Sequence, residues 1–162
     1  MLVIRDAILE DVSAIGNVIC LSWQSAYRGI VRDKYLDSLD GAHWRDRLHD
    51  SFSNNISFGM VLEEDKKIIG SAILTSKKRE VNLVSFYLIP EKIGQGLGHF
   101  FYNGLEEELR QKGFKKCKLD VLQDNIRAIH FYELHGYIDV KTIFTIQLDD
   151  CEYKCKAYEK KL

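Results

Sequence analysis

Two hydrophobic periods alternate along this chain, and each change of period marks a new element. Leu2 to Arg5 reads as a short opening strand. Val12, Ile15, Ile19, Trp23 and Ala26 then recur three and four residues apart. They form one apolar helical face, which Asp11 can cap and Gly29 can end. Gly16 weakens this helix a little. Asp33 can cap a second short helix carrying Tyr35, Leu36 and Leu39, and Trp44 with Leu48 suggests a third. The period then shortens. Ser57–Leu62 and Ile68–Thr75 read as the arms of a hairpin around the charged tip Glu63–Lys67. Gly70 inside the second arm predicts a bulge or a close backbone approach. Val81–Ile89 is almost continuously apolar, as expected of a strand covered on both faces, and Pro90 stops it.

After a glycine-rich turn, Leu97, Phe101, Leu105 and Leu109 trace the buried stripe of a helix, with Gly113 placed to close it. Lys116–Leu122 alternates, with Cys117, Leu119 and Val121 on one face. Strand, helix and strand at these lengths predict a right-handed βαβ crossover with parallel strands. Asp124 or Asn125 caps a last helix, with Ala128, Phe131, Tyr132 and His135 near its apolar side and Gly136 at its end. Tyr137–Gln147 and Glu152–Tyr158 read as a closing antiparallel pair around Asp149 and Asp150. The expected fold is α/β with a mixed sheet. One Pro and no flexible linker predict one domain over residues 1–162.

Composition narrows the partners. Lys and Arg total 23 against 24 Asp and Glu, a net charge of −1. That disfavours a dedicated nucleic-acid binder but permits a local basic groove. No apolar run approaches a bilayer span, and Arg5 with Asp6 interrupts any signal peptide. Four Cys do not make a disulfide scaffold in a chain this long. Together these features predict a cytoplasmic protein with reduced thiols and no membrane partner. Cys117 reads as an inert core thiol. Cys151 and Cys155 share a strand face without a ligand-spaced partner, so no metal is expected. The five His residues form no recognisable triad.

Chemistry concentrates in two stretches. In Pro90-Glu-Lys-Ile-Gly-Gln-Gly-Leu-Gly98, alternate glycines and a helix start can turn several backbone N–H groups toward one point, a cradle for a pyrophosphate. The plain alternative is a tight turn that binds nothing. Neither the dinucleotide fingerprint nor the nucleotide triphosphate loop fits the spacing. In Asp124-Asn-Ile-Arg-Ala-Ile-His-Phe-Tyr-Glu-Leu-His-Gly-Tyr137, Asn125 can be a helix cap, and Phe131 and Tyr132 can be core.

Taken together, the two stretches resemble the GNAT superfamily of acyl-CoA-dependent N-acetyltransferases. The matching elements are Leu88-Ile89-Pro90, Gly96 and Gly98, Leu119-Asp-Val121, and Asn125, Ala128, Phe131, Tyr132, Gly136 and Tyr137. The spacing matches over residues 81–137, and the element order extends the resemblance to nearly the whole chain.

The resemblance implies a mostly antiparallel mixed sheet flanked by helices, with a parallel βαβ core for the cofactor. It implies acetyl-CoA as co-substrate and a primary amine, of a small molecule or a peptide, as acceptor. It assigns the pyrophosphate to the backbone of Ile93, Gly94, Gln95, Gly96, Leu97 and Gly98. It assigns the pantetheine arm to the strand edge at Leu88 and Ile89 and to Asn125, with a strand N–H near the thioester oxygen. Tyr132 would stand at the sulfur as general acid.

The acceptor is expected between the first two helices and the far end of the central strands, against Trp23, Tyr27 and Tyr35, although Trp23 also fits ordinary core. Asp33, Asp37 and Asp40 are either an attraction for a cationic amine or a solvated face. The sequence departs from the family pattern twice. Ile93 stands where a polar side chain is usual, and Asn82 where a Glu base is common. The base is then Glu80, a His acting through water, or no specific residue. Rival readings are a CoA-binding sensor without turnover and a phosphate-binding α/β domain unrelated to CoA. A homodimer through the apolar closing hairpin also fits.

Overall fold

The computed structural model describes residues 1–162. Seven strands form one sheet in the order β1-β2-β3-β4-β5-β7-β6. They are β1 (Leu2–Asp6), β2 (Phe58–Glu64), β3 (Lys67–Lys77), β4 (Glu80–Leu88), β5 (Lys116–Leu122), β6 (Ile138–Leu148) and β7 (Cys151–Lys161). Five helices flank it: α1 (Val12–Ala26), α2 (Asp33–Ser38), α3 (Ala42–Ser53), α4 (Leu97–Gln111) and α5 (Ile126–Leu134). Every neighbouring pair is antiparallel except β4 and β5, the parallel pair joined through α4. The mixed sheet and its βαβ core are those the sequence predicts. The insertion of β7 between β5 and β6 is not legible in the pattern, because either order satisfies the same alternation.

Each face of the sheet is covered. On one, Phe101, Tyr102, Leu105 and Leu109 of α4 pack with Leu119, Val121 and Tyr158. Full burial of such side chains stabilises by about 1.5–3 kcal/mol each. On the other, Ile15 and Ile19 of α1 meet Val61 and Ile73, and Tyr27 and Leu36 meet Leu122 and Cys155. No helix is long and apolar enough to cross a membrane.

Gly70 carries both features expected of it. Leu62 pairs with Gly70 but Glu63 with Ile68, so Ile69 is a bulge. A Cβ on Gly70 would stand 3.2 Å from Tyr87 O of β4, so the backbone approach is also close.

Two caps differ from expectation. The Asp11 carboxylate does not cap α1. It accepts from Arg5 Nη1 at 2.8 Å, Arg5 Nη2 at 3.1 Å and the Ile8 amide at 2.9 Å. A charge-assisted guanidinium pair outcompetes the neutral helix amides for its oxygens. Asp33 is the first residue of α2 rather than its cap, and its carboxylate accepts from Arg28 Nη1 at 3.1 Å.

Candidate active site

The parallel pair β4 and β5 is joined only at its beginning, over Glu80–Lys116, Val81–Cys117 and Asn82–Lys118. Beyond that point the strands part. β5 stays paired with β7 along its length, and β4 stays with β3. On β4, Ser85 pairs with Ile73 and Leu83 with Leu74, leaving Val84 as a bulged residue. A bulge bends its strand and increases its twist. The parting opens a cleft of about 660 Å³ through the sheet.

One end of this cleft is made of backbone. Gly94 and Gly96 hold φ of 82° and 78°, the left-handed region. A Cβ at either would meet nothing within 4 Å, so these positions need glycine for its conformation rather than its size. The N–H groups of Gly94 through His99 donate to no protein acceptor, while Ile93 donates to Pro90 O. Free amides and the N-terminus of α4 therefore meet on one side of the cleft. Arg127, in the first turn of α5, also lines it and has no carboxylate partner.

The strand edge is also available. The Ile89 amide donates to Ile69 O at 2.9 Å, across to β3. Strand alternation then turns the amides of Phe86 and Leu88 the other way, toward the parting. The Leu88 carbonyl agrees, since it accepts from Ser22 Oγ of α1 at 2.8 Å.

Asn125 caps α5, its Oδ1 accepting from the Ala128 amide at 3.2 Å. Its Nδ2 keeps both donors, and the residue lines the cleft. Tyr132 lines the cleft too, and its hydroxyl bonds to no protein group. Burial pushes that phenol well above its ordinary value, with smaller contributions from Tyr87 and Cys117. It therefore keeps its proton at neutral pH. The edge of Phe131 meets Tyr132, and Tyr137 crosses it, which fixes the ring. On the α4 side, His99 Nδ1 and His135 Nε2 share a hydrogen bond of 2.8 Å. Burial, then the neighbouring His99, lowers the His135 pKa.

The far end is built of side chains. Trp23 of α1 and Tyr27, just past its end, form one wall, and Phe144, Ile146 and Leu148 of β6 form the other. Tyr27 and Tyr87 share a hydroxyl hydrogen bond of 2.9 Å, and Trp23 meets Tyr27 edge-on. Ser85 Oγ is buried at the cleft without a partner. Asp120 is the single carboxylate on the whole cleft wall. It has no ion-pair partner, and desolvation raises its pKa.

The structure brings together most of the residues singled out in the sequence. Trp23, Tyr27, Leu88, Ile93, Gly94, Gly96, Gly98, Asn125 and Tyr132 all line one cleft. The side chains of four others lie off it, although the Gln95 and Leu97 amides belong to the free run at the turn. Ile89 is buried and paired with β3. The Gln95 side chain folds back to Glu91 O at 2.8 Å. The Leu97 side chain packs into the core under α4. Tyr35 packs behind the aromatic wall.

The positions considered for a base are also placed, and of the His residues His99 and His130 line the cleft. Glu80 lies where β4 and β5 still pair, with Lys118 Nζ at 2.7 Å, and that hydrogen bond lowers its pKa. Asn82 lies in the same joined segment. His43 and His49 belong to α3, away from the cleft.

Asp120, Arg127 and the β6 wall were missed. Alternation in β5 turns Asp120 away from Cys117, Leu119 and Val121, which reads as a wet face. Only the parting of β4 and β5 turns that face into a cleft wall.

Known proteins resemble this chain in sequence and in fold. The family model for the acetyltransferase (GNAT) family matches residues 20–137. An uncharacterized N-acetyltransferase of Bacillus subtilis, YuaI, is 28% identical over 143 residues, covering 84% of this chain and 80% of the relative. A spermidine N(1)-acetyltransferase of Thermoplasma acidophilum is 26% identical over 139 residues, covering 83% and 86%. The crystal structure of a PaiA N-acetyltransferase from the same archaeon, in complex with coenzyme A, superposes with a TM-score of 0.81 at 24% identity. The match covers 100% of this chain and 99% of that one.

Proposed function

The chain belongs to the acetyltransferase (GNAT) family, and from that premise we propose that it transfers an acetyl group from acetyl-CoA to a primary amine by direct attack in a ternary complex. The observation that carries this reading is the parted strand pair, with unspent amides at Gly94–His99 and at the β4 edge on one wall. A pyrophosphate suits the glycine turn, with Arg127 adding charge. The amide groups of the pantetheine arm suit the free β4 edge and Asn125 Nδ2, as an added strand would. The polar side chain absent at Ile93 leaves these backbone donors in place.

The thioester supplies an activated acetyl group. The Leu88 N–H faces the parting and can hold the oxygen that gains charge when the amine attacks. Asp120 takes the role of base in place of Glu80 or a His. It holds the acceptor ammonium and takes one proton from it before attack, leaving the free amine as the nucleophile; the second proton leaves the nitrogen as the tetrahedral intermediate collapses. Its raised pKa makes it a better proton acceptor than an ordinary aspartate. Tyr132 gives its proton to the departing sulfur.

The exposed apolar side chains Ile138, Val140 and Ile143 on edge strand β6 support a homodimer through that strand. Sedimentation equilibrium decides that point.

The test of the main reading is calorimetric titration with acetyl-CoA, with ADP as the control. Binding of acetyl-CoA well above that of ADP is expected, because the cleft is longer than a nucleotide needs. Absence of acetyl-CoA binding would remove the proposal.

A further inference from the structure

The far end of the cleft carries information about the acceptor itself. Its charge inventory is short. Asp33 and Asp37, on α2, both pair with Arg28, and Asp150, at the turn between β6 and β7, pairs with Arg32. Arg28 offsets one of the two charges on α2, Arg32 offsets Asp150, and none of these carboxylates lines the cleft. Asp124 and Glu152 face a separate hollow of about 190 Å³ beyond Leu122, and Lys154 shares it. Only Asp120 remains to meet a cation on the cleft wall.

The surroundings of Asp120 are apolar. The β5–β7 register sets Leu122 opposite Cys155, and the β6–β7 register sets Cys155 opposite Phe144. Asp120 and Leu122 are two residues apart, so all four lie on the same face of the sheet. Ile146 and Leu148 extend that face outward, and Trp23 and Tyr27 close it from the end of α1. The two tyrosine hydroxyls share one hydrogen bond, Ser22 is spent on Leu88 O, and the neutral Ser85 hydroxyl is left without a partner. One charge at the reacting end and a dry wall beyond it select a ligand of the same make-up. A second ammonium on the acceptor would lie against Phe144 or Ile146 without a counter-charge, and burying an unpaired cation is costly.

We infer that the acceptor is a monoamine whose amino group sits within a few bonds of an aromatic or branched aliphatic body, and that polyamines are poor substrates. This rests on the acetyl-transfer reading and narrows it. It also sets this chain apart from its relative described as a spermidine N(1)-acetyltransferase.

The experiment measures thiol release from acetyl-CoA with four acceptors at one pH: 2-phenylethylamine, isopentylamine, putrescine and spermidine. The two apolar monoamines are expected to exceed both polyamines at least tenfold in kcat/KM. A second carboxylate on the wall, Ile146→Glu, is expected to narrow that ratio by raising putrescine turnover and lowering that of 2-phenylethylamine. Ile146 is only half-buried, and the acetyl-CoA titration reports whether the variant remains folded. Spermidine or putrescine matching the monoamines in the unaltered protein would overturn the inference and leave acetyl transfer standing. Transfer to none of the four, with acetyl-CoA bound, would overturn both.

Discussion

The two ends of the cleft are built on opposite principles. The cofactor end is backbone: consecutive amides of one turn, the edge of one strand and the start of one helix. Side-chain identity matters there mainly where glycine is needed to reach a left-handed conformation. The acceptor end is side chain. Its walls come from α1, β4, β5, β6 and β7, segments separated by up to a hundred residues or more in the chain, and a single carboxylate supplies its charge. Backbone geometry is shared by any sequence that keeps the turn, so the first end suits a constant ligand. The second end can change with each wall residue and suits a variable one.

Substitutions at each end test this division, and the largest effect is expected between the two. Tyr132→Phe should lower kcat by about 100-fold or more, the usual weight of a general acid, while acetyl-CoA affinity stays within about twofold. An unchanged kcat removes Tyr132 from the chemistry.

Next comes the acceptor side. Asp120→Asn should lower kcat/KM for the amine roughly 30-fold, with acetyl-CoA binding unaffected. The carboxylate form is the active one, and its pKa is raised. Activity of the unaltered protein should therefore fall as pH drops through that value. The variant should lose this acidic limb, and a pH profile unchanged by the substitution would exclude Asp120 as the base.

At the cofactor end, Gly96→Val meets no neighbour but forces a β-branched residue to φ of 78°. The strain of roughly 1–2 kcal/mol should weaken acetyl-CoA about tenfold and leave the preference among amines intact. A changed amine preference would break the division between the two ends.

The smallest effect belongs to Tyr27→Phe, which breaks the 2.9 Å hydrogen bond to Tyr87. A loss of about 1 kcal/mol, or roughly 3 °C in Tm, is expected by differential scanning calorimetry, with acetyl-CoA affinity unchanged.

Legibility in the sequence follows the same division. The glycine turn, the helix start at Asn125 and the parallel βαβ unit are local features, each encoded within a few consecutive residues. Gly70 was readable for the same reason. Asp11 and Asp33 have the local signature of caps, but their arginine partners, Arg5 and Arg28, compete for oxygens that local rules reserve for helix amides. Asp120 was passed over because its strand alternation describes one face correctly and says nothing about what lies opposite. Phe144 and Ile146 read as part of a closing strand pair and Leu148 lies just past it, but their place on the cleft depends on β7 entering between β5 and β6.

The sequence by itself determined the elements, the parallel crossover and the amide-lined turn, because periodicity, glycine conformation and helix ends act over short separations. Tertiary structure alone decided which strand edges part, which carboxylate stays unpaired and which apolar side chains face it. Those outcomes depend on competition among groups far apart in the chain. The bulge at Val84 and the pairing of β5 with β7 resolve that competition by drawing two neighbouring strands apart.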